Sequence, residues 1–225
     1  MDNNVKQKYD KLAEPIRDTL RRMSDKYKAK ELQATELNQE LAQVMGAIVK
    51  LRNFSNNPDD FIPGIKNPKI EFAKEKVLNK IMNNPRSKSL LFTDSPKLAT
   101  KSGVQLSKDI PDKKHVVALV DRIVTYRNGE IIDEVKQTTK QYINGKKVKK
   151  EDWQIFTLNK LQKDPDVATF NLTKSYTTGQ NLQSADQVIH LDRDSWNNEN
   201  MKQRTARAWR SGQKNHVDVS ICDLV

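Results

Sequence analysis

An α/β fold is predicted for this sequence: a mostly parallel sheet covered on both faces and preceded by a helical hairpin. Three observations predict it. Short apolar runs bounded by turn residues recur from Ser89 onwards, as strands buried on both faces require. Stretches with apolar residues at spacings of three and four lie between those runs, and helical crossovers of that kind join parallel strands. Ahead of them, residues 1–66 carry only the helical period.

The first helix rests on Tyr9, Leu12, Ile16, Leu20, Met23 and Tyr27, one apolar stripe within which Pro15 either starts the helix or kinks it. Leu37, Leu41, Val44, Met45, Ile48, Val49 and Leu51 make a second stripe, with Thr35 as its cap and Asn56–Asp60 as its stop. The two are expected to form a hairpin over 1–66 that packs on an α/β lobe over 67–225. In the lobe, Pro68–Met82 reads as a helix and Ser89–Thr93 as a buried strand; His115–Tyr126 reads as a helix on the spacing Val116, Leu119, Val120, Ile123. Asn128-Gly129 and Asn144-Gly145 are turn signals, with extended chain from Glu130 to Tyr142 between them. A helix over Glu151–Leu161, strands over Ala168–Leu172 and Gln187–Leu191, a helix over Asn198–Trp209 and an alternating strand over His216–Leu224 complete the prediction.

Charge narrows the function. Lys and Arg number 40 against 29 Asp and Glu in 225 residues, a formal net charge of +11. A polyanion is the expected partner, nucleic acid before an anionic membrane surface. No apolar run reaches the roughly 18 residues of a membrane span. The start, Met1–Lys6, lacks the basic-then-apolar order of a secretion signal. The single cysteine, Cys222, excludes an intramolecular disulfide framework and fits a reducing, intracellular compartment, cytoplasm, nucleoid or nucleus.

The most informative stretch runs from Leu172 to Gln213. A strand ends in a polar turn carrying Gly179, where backbone amides can approach a phosphate closely. A later helix carries Arg204, Arg207 and Arg210 at spacings of three, which would set three guanidinium groups along one side before the Ser211-Gly212 stop. Arginine forks match phosphate oxygens. Taken alone, the same pattern describes a solvated basic face with ordinary ion pairs.

Taken in order, these residues resemble two motifs of superfamily-two helicase-like ATPases, nearest to the Swi/Snf family of DNA translocases. Thr173–Leu182 is similar to motif V, S-T-x-A-G-G-x-G-x-N-L, and Gln203–Gln213 to motif VI, Q-x-x-x-R-x-x-R-x-G-Q. Thr173, Gly179, Asn181, Leu182, Gln203, Arg207, Arg210, Gly212 and Gln213 fall on those places without a gap inside either motif. Ala185–Asp192 resembles the A-D-x-V-I-x-x-D strand between them, and Lys88–Asp94 the strand of motif IV. Tyr142-Ile143-Asn144-Gly145, followed by Glu151-Asp152, resembles a hydrophobic-x-G turn with an acidic helix start, and Leu51–Pro58 the L-R-x-x-C-N-H-P box. There are departures. Tyr176-Thr177 stands for the double glycine of motif V, Ala206 and Trp209 for the acid and histidine of D-R-A-H-R, and Asp192–Asn197 carries one residue more than D-x-D-W-N. The L-R box has lost its cysteine and histidine.

None of the seven glycines opens a G-x-x-x-x-G-K-[ST] phosphate loop. Ile131–Glu134 superficially resembles a magnesium-binding acid box, but it follows the motif IV strand, the wrong order, and reads as an acidic pair on an exposed extended segment. The resemblance therefore implies the second, C-terminal lobe of two RecA-like three-layer lobes that sandwich ATP and DNA. A first lobe bearing the P-loop belongs to a longer parent chain or to another polypeptide.

In that scheme Arg207 and Arg210 are catalytic, reaching the γ-phosphate. Gly179, Asn181 and Gln203 bind nucleotide. Thr93, Thr173, Lys174, Lys146 and Lys147 hold duplex DNA by its phosphates, without sequence readout. ATP and Mg2+ would be shared with the first lobe, no metal being bound by this chain alone, and the isolated chain is expected to be inactive. Two other classes stay open: a non-catalytic DNA-binding module derived from a helicase lobe, and a regulatory protein that binds a partner through its hairpin.

Lys140, Lys146, Lys147, Lys149 and Lys150 crowd the Asn144-Gly145 turn, as a solvated loop or as a patch for DNA phosphates. His115, His190 and His216 show no metal-ligand spacing. Trp196 and Trp209 default to the core.

Overall fold

A computed structural model describes residues 3–29, 33–143, 146–147, 149, 152–173, 181–192, 198–209, 213 and 215–222. The chain divides into two units, residues 1–67 and 68–223. In the first, α1 (Asn3–Lys28) contains Pro15 in its interior, so the proline does not start it. The second helix, α2 (Ala34–Asn56), begins before Thr35; Gln33 occupies the cap position and makes no side-chain cap bond, which corrects the Thr35 assignment. Lys26 bonds Glu36, and Arg22 pairs with Glu40 at 3.5 Å, so the helices run antiparallel. Two helices bury only their facing seam. Ile16, Met23 and Val44 fill it, while Leu20, Tyr27, Leu41, Met45 and Val49 of the predicted stripes are exposed. After α2 the chain folds back: Asn67 Nδ2 donates to Asn56 O (2.9 Å) and to Asp59 Oδ1 (3.0 Å).

The second unit runs α3 (Pro68–Asn83), β1 (Ser89–Phe92), α4 (Pro96–Asp109), β2 (Lys114–Ala118), β3 (Arg122–Arg127), β4 (Glu130–Lys136), β5 (Tyr142–Ile143), β6 (Lys146–Lys147), α5 (Trp153–Gln162), β7 (Val167–Leu172), β8 (Gln187–His190), α6 (Asn198–Thr205) and β9 (Asp218–Ile221). Among the described residues the strands form a seven-stranded sheet, β4-β3-β2-β7-β1-β8-β9, and a separate ribbon, β5-β6. From β2 to β9 all neighbours are parallel; β3 and β4 add an antiparallel edge.

Strand residues alternate between two buried faces. Leu90, Phe92, Val116, Phe170, Leu172 and Val188 meet Trp153 and Leu158 of α5. Leu91 and Ile189 meet Ile70 and Val77 of α3 and Leu98 and Leu106 of α4. The result is the three-layer RecA-like α/β lobe. The approach of α4 to the sheet is close: a Cβ on Gly103 would lie 2.2 Å from Val117 Cγ2.

Two predicted elements change, and one helix is added. His115–Tyr126 is not a helix but the β2–β3 antiparallel pair, with His115 opposite Tyr126. Both strands are covered on both faces, so their continuous apolar run also satisfies helical spacing. The turn between them, closed by Leu119 N–H on Arg122 O (2.8 Å), contains no Gly or Pro to punctuate it. The α4 helix, which sequence reading leaves unassigned, is capped by Ser95, whose Oγ accepts from Leu98 N–H (3.2 Å), with Pro96 in the first turn. The helix at Asn198 stops at Thr205, not Trp209. The Asn128-Gly129 turn holds: both residues have positive φ, 51° and 81°, as a two-residue hairpin turn demands.

Candidate functional site

Open parallel sheets bind ligands beyond the carboxyl ends of their strands. In this lobe β1 leads there to Thr93 and Asp94, β7 to Thr173, and β8 to Leu191 and Asp192. Asp192 is the hub. Its Oδ2 accepts from Thr93 Oγ1–H (2.7 Å) and from Asp94 N–H (2.8 Å), tying the end of β1 to the end of β8. Ser95 N–H in turn donates to Thr93 Oγ1 (3.0 Å).

Into this frame α6 inserts Arg204, only 1% exposed. Its Nη2 donates to Asp94 Oδ1 at 2.5 Å, and its Nη1 stands 3.8 Å from Asp192 Oδ1. The guanidinium carbon lies 5.9 Å from the centre of the Phe92 ring, which stacks on His190. His190 Nε2 is 3.1 Å from Thr205 Oγ1. Burial first, and then the charge of Arg204, push the His190 imidazole down to about 4, so it is neutral at pH 7.

The turn after α6 is pinned on both sides. Leu182 N–H donates to Arg207 O (3.1 Å), and Trp209 N–H to Thr205 O (3.2 Å). Gln213 Nε2 lies 3.0–3.1 Å from Gln183 O, Ala185 O and Ala208 O. The segments around Leu182–Ala185 and Arg207–Gln213 are thus stitched together through backbone carbonyls.

Arg207 sits in this turn, buried, rather than on a helix. The single row of Arg204, Arg207 and Arg210 is therefore corrected: Arg204 faces inward to two carboxylates, and α6 ends before Arg207. Gly179, Lys174 and Arg210 lie outside the described residues, as does Trp196. Asn181 is exposed, its Nδ2 donating to Gln183 Oε1 (3.0 Å), and Gln203 is exposed on α6. The hydroxyls of Thr93 and Thr173 are turned to protein partners, Asp192 and Ala118 O (3.2 Å). Lys146 and Lys147 form β6 against Tyr142–Ile143, a ribbon outside the main sheet. Trp209 is 73% exposed, against the expectation of a core tryptophan.

His115 is buried under α4, Nδ1 on Thr169 Oγ1 (2.9 Å), and burial pushes its imidazole down to about 4. Among the described residues no group of three His, Cys, Asp or Glu is placed to hold a metal ion. Sequence reasoning missed Asp94, Asp192 and the inward role of Arg204. The available signal was an acid one or two residues beyond each of two apolar runs; that one arginine spans both is a contact across 110 residues.

The comparisons with known proteins agree with this lobe. The family model of the helicase conserved C-terminal domain matches residues 73–212. The SWI2/SNF2 ATPase core of Sulfolobus solfataricus, solved in complex with double-stranded DNA, is similar over 94% of this chain and 38% of that one, with 18% identity and a TM-score of 0.51. The C-terminal part of the Fun30 ATPase domain is similar over 75% of this chain and 46% of that one, with 22% identity and a TM-score of 0.47. The chain spans less than half the length of either. No curated protein matches. The chain belongs to the helicase conserved C-terminal domain family.

Proposed function

We propose that this chain supplies the second lobe of an ATP-driven DNA translocase of Swi/Snf type, acting inside the cell with a P-loop-bearing first lobe. The observation that carries the reading is the ordered fall of Thr173, Gly179, Asn181, Gln203, Arg207, Arg210 and Gln213 on two motifs within a member of the helicase C-terminal family. ATP is the substrate. Arg207 and Arg210 meet its γ-phosphate from across the cleft, where a guanidinium stabilises charge developing on the transferred group. Gly179, Asn181 and Gln203 border the nucleotide. Magnesium belongs to the first lobe: Asp94 and Asp192, the acids at the strand ends, already face Arg204. The hydroxyls of Thr93 and Thr173 brace the strand ends, so the direct grip on the DNA backbone falls to Lys174 and the β5–β6 ribbon. The no-span expectation stands in its narrow form: among the described residues no helix is long and apolar enough to cross a membrane.

The test pairs the chain with its first lobe. Arg210→Lys keeps the charge and loses the planar fork, so hydrolysis should fall by roughly 10³-fold or more while DNA affinity without nucleotide stays put. Unchanged hydrolysis would return the arginine to an ordinary surface role. Neutralising Lys146 and Lys147 together should lower the slope of log affinity against log salt by about two; an unchanged slope removes the ribbon from the DNA interface.

A further inference from the structure

We infer that Arg204 is a positioning residue that clamps the arginine-bearing turn, Ala206–Trp209, to the carboxyl ends of β1 and β8. Helices normally dock through an apolar stripe. In α6, Arg204 is the one buried residue among those whose side chains are described; Glu199, Lys202 and Gln203 are exposed, and Asn200, Met201 and Thr205 are partly covered. A charged side chain therefore takes the place of the hydrophobic anchor. Burying an arginine between two carboxylates is a poor way to gain stability, since apolar side chains of similar volume usually do as well or better. What a guanidinium adds is direction. Its planar fork reaches acids just beyond the ends of two separate strands, Asp94 at 2.5 Å and Asp192 at 3.8 Å.

Those acids are themselves held. Asp192 accepts from Thr93 and from the Asp94 amide, so the receiving frame is held by bonds of its own, independent of α6. Thr205, next in sequence, adds the bond to His190. Arg207 follows within one turn, its carbonyl bonded to Leu182 N–H. The clamp rests on this geometry alone; that it serves a nucleotide rests on the proposed function.

Native-state hydrogen exchange on the full chain separates a local clamp from general stabilisation. In Arg204→Met, amides of residues 199–209 and Leu182 should exchange roughly tenfold faster or more, relative to amides of β1 and β7. Asp94→Asn should reproduce the local effect more weakly. Arg204→Met leaves two carboxylates facing each other; where it does not fold, Arg204→Lys, which keeps the charge and cannot span both acids, carries the test. Equal acceleration everywhere makes Arg204 a stabilising residue only and overturns the inference, as does no acceleration at all. Neither result touches the hydrolysis test of Arg210→Lys, whose failure would leave the clamp standing.

Discussion

At the amino ends of the strands Lys88 is buried with its ammonium on backbone carbonyls, those of Asp164 and of Val167 (3.0 Å). Beside it Asp186 accepts from Ser87 Oγ–H (2.8 Å) and Lys88 N–H (3.2 Å), and Lys80 bridges Asp186 (3.9 Å) and Asp218 (2.7 Å). At the carboxyl ends Arg204 lies between Asp94 and Asp192, and here Asp192 Oδ1 and Arg204 Nε and Nη1 find no hydrogen-bond partner among the described residues. The cluster at the amino ends joins residues 76 to 138 positions apart, and its Lys80, Lys88 and Asp186 all find hydrogen-bond or ion-pair partners. The cluster at the carboxyl ends joins distant segments too, but keeps polar capacity at the edge where open sheets take ligands. Burial of charge alone does not mark a functional site; how completely Lys88, Asp186 and Lys80 on one side, and Arg204 and Asp192 on the other, are satisfied separates the two clusters.

The largest break in that comparison is a pair of substitutions. Asp192→Ala strips Thr93, the Asp94 amide and Arg204 of one acceptor group and leaves a buried guanidinium with a single counter-charge, at a cost of about 3–5 kcal/mol. Asp186→Ala leaves a hydroxyl and an amide unmet, but Lys80 keeps Asp218, so about 1–2 kcal/mol is expected. Urea titration of both variants checks the asymmetry; equal losses would erase it.

A smaller effect comes from acid. His115 and His190 are held near 4 in the folded chain, against 6.5 for a free imidazole. The unfolded chain therefore binds these protons more tightly. The contribution of each neutral imidazole is complete above about pH 6.5 and is lost as pH falls through 4, on the order of 3 kcal/mol apiece at the limit. His115→Gln and His190→Gln should each flatten stability between pH 6.5 and 4. In Arg204→Met the His190 midpoint should rise, because a neighbouring positive charge is gone, while His115 should not move. NMR titration of the two imidazoles reads this directly, and equal movement of both would show that the carboxyl end has no electrostatics of its own.

Much of the lobe was legible because its central strands are short apolar runs between turn residues. Ser89–Phe92, Val167–Leu172 and Gln187–His190 needed no partner to be recognised. Where both faces are covered, period carries no information, and His115–Tyr126 satisfies helical spacing although it is an antiparallel strand pair. The α4 helix hid because Ser102 and Gly103 occupy its buried face, where the sheet comes too close for larger residues. Residues that resemble motifs V and VI were readable as an order of types, and Leu182 and Gln213 are bonded into the turn that carries Arg207 and Ala208.

The sequence by itself determined the class of fold, the basic charge and the kinship with helicase lobes, since each is a property of residue type and local spacing. Tertiary structure alone decided which arginine turns inward. Arg204, Arg207 and Arg210 are equivalent as a row of three; the row ends because α6 ends at Thr205 and because Asp94 and Asp192, 110 and 12 residues upstream of Arg204, converge on the same point. Electrostatic pairing depends on distance in space, and distance in space is what a list of residues does not contain.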